Sequence, residues 1–180
     1  MAQTSTMANF TVELNDVDRG VYETLTLAVA QHPSEAPAGM VTRVLARCLE
    51  HAEGAALGRG VGEGDAAALT VTDLTGALRA WVDIGTPDAA RLHRAAKAAP
   101  RVAVYCHKDP APFLRSLAGQ RVHRAEAIEL LEVDRGLVAA LVETLDRRNL
   151  WQLSRIEGVV YVEVAGRSLS APLRRLPWPA

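Results

Sequence analysis

Aromatic residues are scarce in this 180-residue chain, at 4%, so its core must be built from Ala, Val, Leu and Ile. With only two cysteines, a disulfide scaffold is excluded. Cys48 falls in an apolar helical stripe and Cys106 ends an apolar run, the settings of small buried hydrophobes rather than redox or metal groups. No apolar stretch reaches the ~18 residues of a membrane span, and MAQTSTMANF lacks a signal-peptide core. The expected location is therefore the cytoplasm, with no membrane partner. Met7 offers a second start, so residues 1–7 are expected to form a disordered leader and residues 8–180 one domain. A formal net charge of −1 gives no global attraction to nucleic acid; polyanion binding would need a local basic patch. HExxH, CxxC and Gly-x-Ser-x-Gly are all missing. The glycine-rich stretch GAALGRGVGEGDAAA is not a phosphate cradle, because no strand leads in and no GKS/T follows; it reads as a flexible connection.

What is present is a regular alternation of elements. Phe10, Val12 and Leu14 alternate with polar residues in an opening strand, and VYETLTLAVAQ after NDVDRG reads as a short helix. In the following helix Met40, Val41, Val44, Leu45, Cys48 and Leu49 recur at helical spacing, with Ser34 as N-cap and Glu35 in the first turn. TVTDLTG leads as a hairpin arm into a strand in which Leu78, Ala80, Val82 and Ile84 share one face, with Arg79, Trp81 and Asp83 on the other. Gly85 ends that strand, Thr86 caps a helix and Pro87 takes its first position; Leu92, Ala95, Ala96 and Ala99 face inward. RVAVYC is a strand covered on both faces, PAPFLRSLAG a short helix, IELLEV a strand, and DRGLVAALVETLDR a helix capped by Asp134. NLWQLSRI and VVYVEVAG form a closing antiparallel hairpin around Glu157 and Gly158, with SLSAPL as an edge. The order indicates an α/β fold with a mixed sheet whose central strands are parallel, flanked by helices.

Asp83 is the residue that asks for a reason, since strand interiors rarely hold an acid. Glu35 opens the long helix and Asp65 ends the glycine-rich connection, with Asp73 a rival to Asp65. Carboxylates that converge repel, and their protons are held more tightly unless a cation enters. Such oxygen-rich sites suit Mg²⁺ or Mn²⁺ acting on phosphates and water. Each acid also has a plain structural use at a helix start, in a turn or in an ion pair. Of the five histidines, His107 stands best, at the C-terminal edge of RVAVYC beside Lys108.

HPSE (32–35), GDAAAL, WVDIGTPD (81–88), RLHRA and VAVY together resemble the YaeQ family over nearly the whole chain, HPSE and W-V-D-I-G-x-P-D being the most specific words. The resemblance implies a restriction-endonuclease-like fold of the PD-(D/E)xK group. In that group, acids and an acid-x-lysine hold divalent metals that activate water for phosphodiester hydrolysis. Carried over, Glu35 matches the helix acid, Asp65 the acid of the DEP-like segment and Asp83 the strand acid. The chain departs from the pattern in three places. Gly85 stands where the lysine would be, Asp65 lacks its Glu-Pro context, and Asp83 replaces the family's usual Glu. Arg94 is the expected substitute cation, with Arg43, Arg91 and Lys108 as alternatives. The resemblance implies a phosphodiesterase using Mg²⁺ or Mn²⁺; the other reading is a non-catalytic module of the same fold that binds nucleic acid or protein.

Overall fold

A computed structural model describes residues 5–58 and 64–180. Eleven strands and four helices run in the order β1 (Thr6–Asp16), β2 (Val21–Gln31), α1 (Pro37–Leu49), β3 (Ala55–Leu57), β4 (Leu69–Thr72), β5 (Leu78–Ile84), α2 (Ala89–Ala98), β6 (Arg101–Cys106), α3 (Pro110–Leu117), β7 (Glu129–Glu132), α4 (Arg135–Glu143), β8 (Arg148–Ile156), β9 (Val159–Val164), β10 (Arg167–Pro172) and β11 (Arg174–Leu176). They form two mixed sheets, not one, ordered β10-β9-β8-β1-β2 and β11-β7-β6-β5-β4-β3. The closing hairpin β8–β9 therefore leaves the central sheet, and β8 joins the opening strand in parallel from Asn9↔Arg148 to Asp16↔Arg155.

The segment expected as a helix at 21–31 is strand β2, paired with β1 along its whole length. Leu25 and Val29 fit helical spacing, but Leu25, Leu27 and Val29 fit a period of two equally well. The β-branched content and an eleven-residue partner decide for the strand. Strand β1 reaches back to Thr6, into the stretch expected as a leader; residues 1–4 lie outside the described residues. The glycine-rich connection contains the short strand β3, and its residues 59–63 lie outside the described residues.

In the six-stranded sheet β5, β6 and β7 are parallel, as their helical crossovers require. Strand β6 is covered on both faces. Ala103 and Tyr105 join a core with α1, α4 and the inner residues of the other sheet, whereas Val102, Val104 and Cys106 pack against α2 and α3. The expected inward stripe of α1 is buried throughout, as are Leu92, Ala95 and Ala96 of α2.

Two helix starts differ from expectation. Helix α1 begins at Pro37 behind Ala36, because Pro is preorganised for the first helical position; Ser34 instead sits 2.6 Å from His32 Nδ1. Helix α2 is capped by Asp88, whose carboxylate accepts from Arg91 N at 2.7 Å, and Thr86 is upstream.

Candidate functional site

The C-terminal ends of parallel strands leave unpaired backbone and diverging loops, so clefts form there. Here β5 ends at Ile84 and β6 at Cys106; Gly85, Thr86, His107 and Lys108 open a cavity of about 450 Å³. The approach to α1 supplies Glu35, α1 itself Arg43, β5 supplies Asp83, and α2 supplies Arg91. Two of the three acids expected at the site are thus brought to one cavity.

Each acid arrives with an arginine attached. Arg91 donates to Asp83 through Nε at 2.7 Å and Nη2 at 2.8 Å, a bidentate pair in which the Asp83 side chain is 3% exposed. The same guanidinium donates to the carbonyls of Gly64 and Ala66 at 2.9 and 2.7 Å, stapling the end of the glycine-rich connection to β5. Its bonds to Asp83 are the main cause that raises the Arg91 pKa, so its charge is permanent. Arg43 donates to Glu35 through Nε at 3.0 Å and Nη2 at 2.9 Å, and Nη2 also reaches the carbonyl of Ala30 at 2.7 Å. Both side chains of this pair are almost fully buried. The Glu35 backbone is held in turn, its N–H by His32 O and its carbonyl by Gln31 Nε2. Glu35 therefore precedes α1 and does not occupy its first turn.

The third acid is elsewhere. Asp65 is 89% exposed and pairs with Arg94 at 3.2 Å, and neither lines the cavity. The stretch 64–68 approaches the site through backbone, so the side chain of Asp65 is free to turn outward. Arg94, expected as the substitute cation, belongs to this surface pair; Arg91, one turn earlier, is the arginine at Asp83. Asp73 is a turn residue: it accepts from Thr75 N, Thr75 Oγ1, Ala77 N and Arg79 Nε, with Thr75 Oγ1 first among the causes that lower its pKa to about 2.

Gly85 explains the missing lysine. Its φ is +91°, a backbone region that side-chain-bearing residues avoid, and its N–H is tied to Tyr105 O at 2.9 Å. A lysine here would strain the chain where β5 ends. Among the described residues, the cation at the cavity without a paired acid is Lys108, two residues beyond the end of the adjacent strand β6. Beside it His107 has a buried Nδ1 with no hydrogen-bond partner among the described residues; burial, then Lys108, lowers its pKa and keeps the ring neutral near pH 7.

Mg²⁺ and Mn²⁺ need several oxygen ligands with free lone pairs. The cavity offers two carboxylates, each already engaged by an arginine, and among the described residues no three of His, Cys, Asp or Glu are grouped to hold a metal. This donor set does not fit a preassembled divalent centre. The lining has three basic side chains, Arg43, Arg91 and Lys108, against two acids, so it favours an anion.

A two-sheet α/β fold with a polar, cation-rich cavity beyond its parallel strands is the class of protein that these features define. The family model "YaeQ protein" matches residues 1–172, and the chain belongs to that family. "Uncharacterized protein YaeQ" of Salmonella typhi is 25% identical over 181 residues, spanning 100% of both chains. The crystal structure of YaeQ protein from Pseudomonas syringae superposes with a TM-score of 0.86 at 27% identity, covering 96% of each chain. That of YaeQ protein from Xanthomonas axonopodis pv. citri gives 0.88 at 26% identity, covering 98% of this chain and 100% of that one. Among the described residues no helix is long and apolar enough to cross a membrane.

Proposed function

We propose that the cavity beyond β5 and β6 binds a phosphate-bearing ligand, a nucleic-acid phosphodiester in the restriction-endonuclease-like reading of the fold. One observation carries this. Both buried acids of the cavity are spent on orienting arginines, so the groups left to meet a ligand are guanidinium N–H donors, the Lys108 ammonium and the neutral His107 ring. A guanidinium fixed from behind by a carboxylate keeps its other donors preoriented, which is how phosphate oxygens are recognised. Titration of the full chain with a dinucleoside phosphodiester and with short DNA and RNA, single- and double-stranded, tests it. Lys108→Ala should weaken binding about three- to tenfold and flatten its salt dependence. Undiminished affinity in that variant would sink the assignment.

A second reading, a Mg²⁺- or Mn²⁺-dependent phosphodiesterase, is favoured by one observation: Glu35 and Asp83 line the same cavity. It requires Arg43 and Arg91 to release their acids. Calorimetry with Mn²⁺ decides it: heat of binding that Asp83→Asn removes supports the metal reading, and no heat in the wild type ends it.

A further inference from the structure

On the side of α1 marked by its C-terminal residues, a second cavity of about 350 Å³ lies between the two sheets. Arg19 from the β1–β2 turn and Arg155 from β8 come from one sheet. Arg101 of β6, Glu129 of β7 and Arg175 of β11 come from the other, and Glu50 follows α1. Four guanidiniums thus meet two carboxylates.

The acceptors of this cavity are consumed. Glu50 is held by both terminal nitrogens of Arg101 and by Tyr105 Oη, which donates at 2.7 Å. Arg101 also spans Glu129, donating through Nε at 3.2 Å and Nη2 at 2.7 Å. Tyr105 is pushed well above its usual pKa, first by burial and then by Glu50, so it stays a donor.

The donors are in surplus. Arg19 is fixed from behind, its Nε donating to Asp16 at 2.7 Å and Nη1 to His51 O at 3.1 Å. Arg155 Nε lies 3.2 Å from Asp18 Oδ2, in ion-pair range but without hydrogen-bond geometry, while the oxygens of Asp18 accept from the backbone N–H groups of Glu157 and Gly158. It is left as a buried donor with no partner among the described residues. Its guanidinium lines the cavity, and its terminal nitrogens donate to no group among the described residues, so a ligand rich in acceptors meets unspent donors there. Arg175 on the exposed rim adds a further cation. Asp16 and Asp18 stand behind Arg19 and Arg155 and do not line the space, so the wall itself presents donors.

The geometry points to a second binding site, between the sheets, for a compact phosphate-type oxyanion, held by Arg19, Arg155 and Arg175 and positioned by the Glu50–Arg101–Glu129 network. It shares no lining residue with the cavity beyond β5 and β6, so the two sites are separable by mutation. Calorimetry of the full chain with inorganic phosphate and with pyrophosphate at low ionic strength tests it, using Arg91→Gln to disable the first cavity. Pyrophosphate should still bind to Arg91→Gln, and adding Arg155→Gln should weaken that binding at least tenfold, the scale of one charged hydrogen bond. Arg175→Gln, a change of an exposed residue that leaves the fold untouched, should weaken it about threefold. Loss of all binding in Arg91→Gln, or equal affinity with and without Arg155 and Arg175, would overturn the assignment.

Discussion

Replacing Arg43 by Met isolates what the buried ion pair beneath the first cavity does. The substitution keeps the aliphatic length of the side chain but leaves the carboxylate of Glu35 at 7% exposure without its two donors, and the carbonyl of Ala30 without one. Removing one partner of a buried pair costs about 3–5 kcal/mol, because the remaining charge is uncompensated. Against a total stability of about 5–15 kcal/mol, a loss of about 4 kcal/mol is large, and it corresponds to a fall in Tm of about 8–16 °C for a chain of this size. Glu35→Gln with Arg43→Met removes the stranded charge and should recover at least half of that loss. Urea unfolding followed by circular dichroism at pH 7 measures both, with an unchanged slope confirming that the unfolded state is comparable. A loss below about 1 kcal/mol in the single variant, or a double variant no more stable than the single, would refute the claim that this acid depends on its arginine.

Three further outcomes follow from the geometry. Gly85→Ala should destabilise by about 1–2 kcal/mol, because its φ of +91° is strained for any residue with a Cβ even though the nearest neighbour, His107 Cε1, is 3.9 Å away; thermal unfolding reads this. Asp73 has its folded pKa depressed from 3.8 to about 2, so its contribution is present above about pH 4 and lost as pH falls through 2. The stability–pH profile of Asp73→Asn should accordingly be flatter than that of the wild type across pH 4 to 2. Cys48 is fully buried and pushed up to about 12 by that burial, so it should resist iodoacetamide at pH 8 in native protein and react in urea; mass spectrometry of the alkylated chain distinguishes the two.

How far the fold was legible depended on the range of the interactions that decide each element. The stripe of α1 and the two covered faces of β6 are local patterns, and both were readable from residue spacing. A helix is the local expectation at β2 because Leu25 and Val29 satisfy both periods, and only pairing with β1 separates them. The second sheet was hidden for the same reason: the partners Asn9 and Arg148 are joined by nothing in the local sequence. At the site, an acid in a buried strand was sufficient to single out Asp83, and the spacing on α2 offered Arg91 and Arg94 alike. Which of the two meets Asp83 is set by the helix start at Ala89, which Asp88 fixes and the chain alone leaves ambiguous. Asp65 was placed by its neighbours in sequence, yet the loop it sits in turns its backbone, not its carboxylate, to the site.

The lysine that is missing after Asp83 now has a structural account that bears on function. A motif of acid-x-lysine needs the lysine on the same extended strand as the acid, two residues on and pointing to the same side. In this chain β5 stops at Ile84, and Gly85 takes a positive φ while its N–H still pairs with Tyr105 O of β6. The strand is thus still paired at the position where the lysine would stand, but its direction has already changed. A positive charge on that side must come from another element, and the chain supplies Arg91 from the helix that follows and Lys108 from the adjacent strand end. These cations differ in kind. Arg91 is committed to Asp83 and permanently charged, whereas Lys108 is exposed and has no paired acid among the described residues. For a phosphate entering the cavity, the cation left to engage it is Lys108, and the arginines provide a fixed frame. For that reason Lys108→Ala, not Arg94→Ala, is the substitution that separates a functional cavity from a merely well-packed one.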